Sequence, residues 1–107
     1  EKMPELCIKD RKKNDICGQQ ALVKYLQENI RYPAIAKEYN IQGKVYVQFV
    51  VEKSGKVSGV KIVRGVDTNL DKEAIRVVKS FPKWKAGKQR GKAVRVYFTL
   101  PINFQLG

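Results

Sequence analysis

The stretch from Ala93 to Leu106 limits the possible folds of this chain more than any other. Val94, Val96, Phe98, Leu100, Ile102 and Phe104 alternate with Arg95, Tyr97, Thr99, Pro101 and Asn103. A period of two is the pattern of a strand with one buried face. Pro101 interrupts it with a residue that cannot donate to a ladder, and proline in sheets is confined mostly to edge strands, strand starts and bulges. The predicted strand is therefore an edge strand. A long apolar edge invites aggregation, and proteins usually blunt or cover it. One left open is a candidate docking site for another extended chain, by strand addition.

The rest of the chain supplies what such a strand needs for a core. Lys44 to Lys53 alternates again, with Val45, Val47, Phe49 and Val51 on one face and Tyr46, Gln48, Val50 and Glu52 on the other. Lys53-Ser54-Gly55-Lys56 reads as a hairpin turn. The return strand runs from Lys56 to Arg64, and its apolar residues change phase near Gly59, which marks a bulge. Gly18 to Glu28 predicts a helix with Ala21, Leu22, Tyr25 and Leu26 on one face. Pro33 suits the first turn of a second short helix, Pro33 to Tyr39. Asp67-Thr68-Asn69 offers capping side chains to a third helix that buries Leu70, Ala74, Val77, Val78 and Phe81 and stops at Pro82. A basic loop, 83–92, leads into the final strand. The order is helix, helix, strand, strand, helix, strand: an α+β fold, with a small antiparallel three-stranded sheet and helices packed on one face. Residues 1–18 read as an irregular, charged lead-in, and 19–107 as the domain proper.

The chemistry open to this chain is narrow. It contains no histidine, which removes the commonest general base and the commonest metal ligand. A Ser-His-Asp or Cys-His site cannot be assembled. Asp67 and Asp71 are helix-start residues, favoured there by capping and by the helix dipole. Together with Glu73 they are the only clustered acids in the second half, and no nucleophile accompanies them, so catalysis is not expected. The two cysteines, Cys7 and Cys17, are too few for a zinc site and are not spaced as Cys-x-x-Cys. They are either free thiols or a disulfide closing a short loop, which requires an oxidising compartment. The polar stretch between them has little else to order it, which favours pairing.

The net charge is +12, which favours acidic partners. Lys83, Lys85, Lys88, Arg90 and Lys92 crowd around Trp84. A solvated basic face explains such a cluster as well as a binding patch does. No ribonucleoprotein aromatic motif, recognition helix or zinc finger accompanies it, so nucleic acid is not the expected partner. Trp84 itself is expected to anchor the helix exit in the core rather than to stack on a ligand. Nothing in the sequence approaches the roughly 18 apolar residues of a membrane span. The chain opens Glu1-Lys2-Met3, not at an initiator methionine, and is expected to belong to a longer protein carrying any anchor.

Two runs, YPAIAKEYNIQGKVYVQFVVEKSGKVSGVKIVRG and LDKEAIRVVKSFPKWKAGKQRGKAVRVYFTLPINF, carry a resemblance. Tyr32-Pro33, Gly43-Lys44-Val45, Ser54-Gly55, the segment Pro82 to Gly87 and the closing strand follow in the order found in the TonB C-terminal domain family. The resemblance covers about residues 19–106 and leaves the two cysteines outside. It implies a periplasmic module of a protein anchored in the inner membrane of a Gram-negative bacterium and driven by the ExbB–ExbD proton motor. In that family the domain grips the TonB box of an outer-membrane receptor, so that iron chelates, vitamin B12 or glycans pass through. The implied contact strand begins here with Val94, Arg95, Val96, Tyr97, Phe98, Thr99 and Leu100. Residues around the Tyr-Pro pair, Asn29, Ile30, Arg31, Tyr32 and Pro33, are implied to contact the receptor as well. Asn29 equally suits a helix C-cap, and Tyr32 is more readily placed beneath the sheet. TonB-like domains also end other envelope proteins, among them membrane-bound sensor-peptidases. The same edge could instead pair with a second copy of the chain.

Overall fold

The computed structural model describes residues 1–106. Its elements, in order, are β1 (Cys7–Lys9), β2 (Asp15–Cys17), α1 (Gln19–Asn29), α2 (Ala34–Glu38), β3 (Gly43–Val51), β4 (Val57–Arg64), α3 (Thr68–Lys79), β5 (Gly87–Gln89), β6 (Lys92–Val94) and β7 (Val96–Phe104). The main sheet has three antiparallel strands in the order β4-β3-β7. This is the mixed α+β fold that the alternation and helix signals predict.

The core is built on β3. Val45, Val47, Phe49 and Val51 are buried along its inner face, each opposite an apolar residue of β7: Ile102, Leu100, Phe98 and Val96. Helix α3 starts at Asp67, whose carboxylate accepts from the Asn69 N–H at 2.9 Å. It lays Leu70, Ala74, Val77 and Val78 on the core. Burying each of these larger side chains is worth about 1.5–3 kcal/mol. An aromatic cluster closes one end, where Phe49 lies 5.5 Å from Trp84 and 5.9 Å from Phe81, centroid to centroid.

The β3–β4 turn is where a glycine is required. Gly55 has φ 87°, and a Cβ there would lie 2.0 Å from the Trp84 carbonyl oxygen. The Trp84 N–H donates to the Gly55 carbonyl at 2.8 Å, tying the turn to the exit of α3. The phase change near Gly59 is a bulge: the β3–β4 register shifts between Gln48 and Val50, opposite Gly59 at φ 58°. The bulge lies against Val50. Alternation places Val50 on the outer face, yet it is 4% exposed, and a Cβ at Gly59 would sit 3.6 Å from its Cγ2.

Three regions differ from the sequence reading. The lead-in is not irregular. β1 and β2 form a hairpin joined by a Cys7–Cys17 disulfide. Leu6, 1% exposed, belongs to the core, and the segment before it pairs with the chain after Trp84 through Lys2–Lys88 and Glu5–Lys85 bridges. Strands of three residues carry no readable period, and the short apolar pieces Leu6-Cys7-Ile8 and Ile16-Cys17 are set among charged residues. The basic stretch 83–92 is likewise not a loop. β5 and β6 pair across Arg90-Gly91, with φ 53° and 78°, the two positive values of a type I′ hairpin turn. Arginine rarely takes the first of these positions, so the turn signal is weak. Finally, the last strand starts at Val96. Val94 belongs to β6, opposite Gly87, and Arg95 lies between the two strands.

Candidate functional site

Strand β7 pairs with β3 over its whole length, from Val96↔Val51 to Phe104↔Gly43. Among the described residues no strand pairs with its other side. The edge inferred from Pro101 is therefore open. Val96, Phe98, Leu100, Ile102 and Phe104 point to the core face, while Tyr97, Thr99, Pro101 and Asn103 point outward and are exposed. Arg95, just before the strand, is held by Glu52: its Nε donates to Glu52 Oε1 at 2.7 Å, and its guanidinium lies 5.9 Å from the Tyr97 ring centroid. The open edge is bordered on the helix side by α1. Between them runs a groove of about 240 Å³ lined by Leu22, Val23 and Leu26 of α1 and by Phe98 to Pro101 of β7, with Phe49 and Trp84 also on its wall.

The second predicted segment, Asn29 to Pro33, lies near the far end of β7. The Tyr32 ring meets Phe104 edge to face at 5.7 Å, and its hydroxyl donates to the Ile41 carbonyl. Tyr32 is thus packed at the sheet end. Asn29 is the last residue of α1, and its side chain donates back to the Tyr25 carbonyl at 2.8 Å. Ile30 is the C-cap residue and Pro33 precedes α2. Arg31 is exposed, and its guanidinium makes no ion pair among the described residues.

Two residues hold this segment: Glu73, which the sequence reading weighed only as a catalytic acid, and Arg76, which it did not single out. Glu73 of α3, 9% exposed, accepts from the Arg31 backbone N–H at 2.6 Å. Arg76 donates to both Glu73 oxygens at 2.7 Å and to the Asn29 carbonyl at 2.8 Å. Burial alone would raise the Glu73 carboxyl; the Arg76 side chain and the Arg31 N–H outweigh it and hold the group below the usual glutamate range. The signal available beforehand was a charged residue set between Leu70, Ala74 and Val77 on an apolar helix face, three residues before an arginine.

Lys83, Lys85, Lys88, Arg90 and Lys92 are all exposed, and none joins an ion pair among the described residues. The β5–β6 hairpin carries the last three, immediately upstream of the open strand. Trp84 is 6% exposed and sits in the aromatic cluster, with its Nε1–H buried and without an acceptor. Glu5 lies close to Cys7 and Cys17, but the disulfide removes both thiolates as ligands.

The sequence profile described as Gram-negative bacterial TonB protein C-terminal matches residues 28–106. The chain belongs to the TonB C-terminal domain family. Over 86 residues, 77% of this chain, it is 36% identical to Protein TonB of Haemophilus influenzae. The matched stretch is 32% of that protein's length, so the chain corresponds to about a third of it. Two solution NMR structures of the Helicobacter pylori TonB C-terminal domain share the fold. One, at 26% identity, has a TM-score of 0.65 and covers 80% of this chain and 78% of the other. The second, a shorter piece at 25% identity, has a TM-score of 0.61 and covers 80% and 90%. Domains of this family are non-enzymatic interaction domains of Gram-negative envelope proteins.

Proposed function

We propose that this domain binds the TonB box of TonB-dependent outer-membrane receptors by strand addition along β7, and that it transmits pull derived from the proton-motive force for nutrient uptake. The observation that carries the reading is the open β7 edge, with the Asn29–Pro33 segment held near its far end by Glu73 and Arg76. A strand laid along β7 would meet both predicted contact regions at once. Backbone pairing is largely indifferent to side chains, so one domain can serve receptors for iron chelates, vitamin B12 or glycans. Each hydrogen bond nets about 0.5–1.5 kcal/mol, which keeps a short pairing reversible. Pro101 offers no donor and limits how far the pairing runs.

The remaining partners follow from the same reading. The ExbB–ExbD motor would act through parts of an inner-membrane-anchored protein outside this chain. A second copy pairing through β7 would occupy the same edge and compete with the receptor segment. The basic hairpin would steer acidic flanks of that segment.

Titration of the isotope-labelled domain with receptor TonB-box peptides of seven to ten residues tests the proposal. Saturable amide shifts along Val96–Phe104 and around Asn29–Tyr32 are expected. Absence of shifts at millimolar peptide, with the domain folded and monomeric, would refute it.

A further inference from the structure

Cations from separate stretches of the chain meet at the sheet end where Val51 pairs with Val96. The β3–β4 turn brings Lys53 and Lys56, and the bond from the Trp84 N–H to the Gly55 carbonyl, at 2.8 Å, sets that turn against Lys83 and Lys85. The β5–β6 hairpin adds Lys88, Arg90 and Lys92, and the last two share a cleft with Lys53. Lys2 is held to the same hairpin by a reciprocal pair of backbone bonds with Lys88, each 2.8 Å. All these side chains are exposed, and none joins an ion pair among the described residues. Of the acids nearby, Glu52 is taken by Arg95 at 2.7 Å, and Glu1 borders the cleft between Lys2 and Lys88. An apolar side chain stands on that cleft too: Met3, 68% exposed. Lys2 and Met3 precede residues 28–106, the part that the family profile matches. The Cys7–Cys17 disulfide and the buried Leu6 hold them on a folded surface.

The chemistry narrows the partner. Apart from Arg90 the cations are lysines, compact charges on flexible stems, whereas bidentate recognition of a single carboxylate or phosphate favours arginine. The charges are spread over two turns and a lead-in segment and converge on no buried point. Both features suit an extended anionic surface better than a discrete ligand. Trp84, the aromatic among these cations, is buried, which leaves no base-stacking platform between them. An exposed methionine flanked by lysines is amphipathic, as side chains at a bilayer interface are, and gains nothing from a soluble polyanion. We propose that this end of the sheet docks the domain on an anionic phospholipid surface, with the lysines against the headgroups and Met3 in the interface. The proposal stands apart from strand addition along β7, and the two can fail separately.

Vesicles of phosphatidylglycerol mixed with phosphatidylcholine, and of phosphatidylcholine alone, test this, with binding of the intact domain read by co-sedimentation. Binding to the anionic vesicles and not to the neutral ones is expected, weakening as salt screens the charges. Each lysine or arginine at such a surface is worth about fivefold in affinity, so Lys88→Gln, Arg90→Gln and Lys92→Gln together should lose on the order of a hundredfold. Arg11→Gln, Lys12→Gln and Lys13→Gln remove the same charge from the β1–β2 turn beside α1 and should lose less than about threefold. Met3→Ser should lose about fivefold with the salt dependence unchanged. Equal losses for the two triple variants would reduce binding to net charge and overturn the proposal, as would failure to bind the anionic vesicles. An unchanged affinity for Met3→Ser would remove the contact that singles out a bilayer, and the proposal with it. Equally tight binding of soluble polyglutamate would assign the face to an acidic protein chain. None of these results bears on peptide binding along β7.

Discussion

Replacing Leu6 by alanine asks whether the first residues are ornament or structure. Leu6 is 1% exposed and is among the largest fully buried side chains of the domain. Leucine-to-alanine changes in closed cores cost about 3–5 kcal/mol, set by how far the site collapses. The segment lies beside a chain end, however, and can detach without the rest unfolding, which caps the loss at the free energy of that local opening. A cost of about 3 kcal/mol is therefore expected, or a fall in melting temperature of roughly 10–20 °C. The Cys7–Cys17 disulfide gives a second handle. Its partners are 10 residues apart, and loop-closure entropy puts the bond at about 3 kcal/mol. Urea unfolding of wild type and Leu6→Ala, each oxidised and reduced, completes a cycle. If Leu6 and the disulfide act through one docked hairpin, Leu6→Ala should cost well under half as much after reduction. A loss below about 0.5 kcal/mol in the oxidised protein would refute the placement of Leu6 in the core. Equal losses in both redox states would refute the coupling.

Three further outcomes are expected. Gly55→Ala should destabilise the domain by more than about 2 kcal/mol in urea melts, since positive φ and the Trp84 carbonyl both oppose a Cβ; a neutral effect would contradict the turn. Glu73→Gln should cost about 1–2 kcal/mol at neutral pH. Because the folded Glu73 carboxyl is held low, its contribution is complete above its unfolded value near about 4.3 and is lost as pH falls through the folded value; melts at stepped pH should show the two proteins converging there, and a gap that widens on acidification would reverse the sign. Reversing Lys88, Arg90 and Lys92 to glutamate should slow association of an acid-flanked peptide several-fold at low salt and hardly at all at high salt, read by stopped flow; an unchanged low-salt rate would exclude steering.

How much was legible beforehand varied with the length of each element. β3 and β7, nine residues each, show their alternation plainly, and the single Pro101 placed the second of them at an edge. α3 announced its start through Asp67 and its inner face through Leu70, Ala74, Val77 and Val78. The four three-residue strands were hidden, because no period can be read in three residues; the Lys2–Lys88 and Glu5–Lys85 bridges, which join segments about 80 residues apart, carry no local signal at all. The site divides in the same way. Its edge is a local pattern and could be read. The groove needs α1 and β7 brought together across the fold, and the Glu73–Arg76 clamp joins α3 to a segment 42 residues earlier.

The disulfide also sets how much slack the domain can release. Cys7 and Cys17 hold their Cα atoms 4.1 Å apart. Stretched out, the 10 steps between them would span roughly 33–36 Å. Under tension entering from the Glu1 end, the bridges at Lys2 and Glu5 could peel and Leu6 could leave the core, but that length would stay locked in a covalent loop. Pulled in an oxidising compartment, the domain is a shorter tether than its sequence, and reduction would lengthen it by about 30 Å without changing a residue.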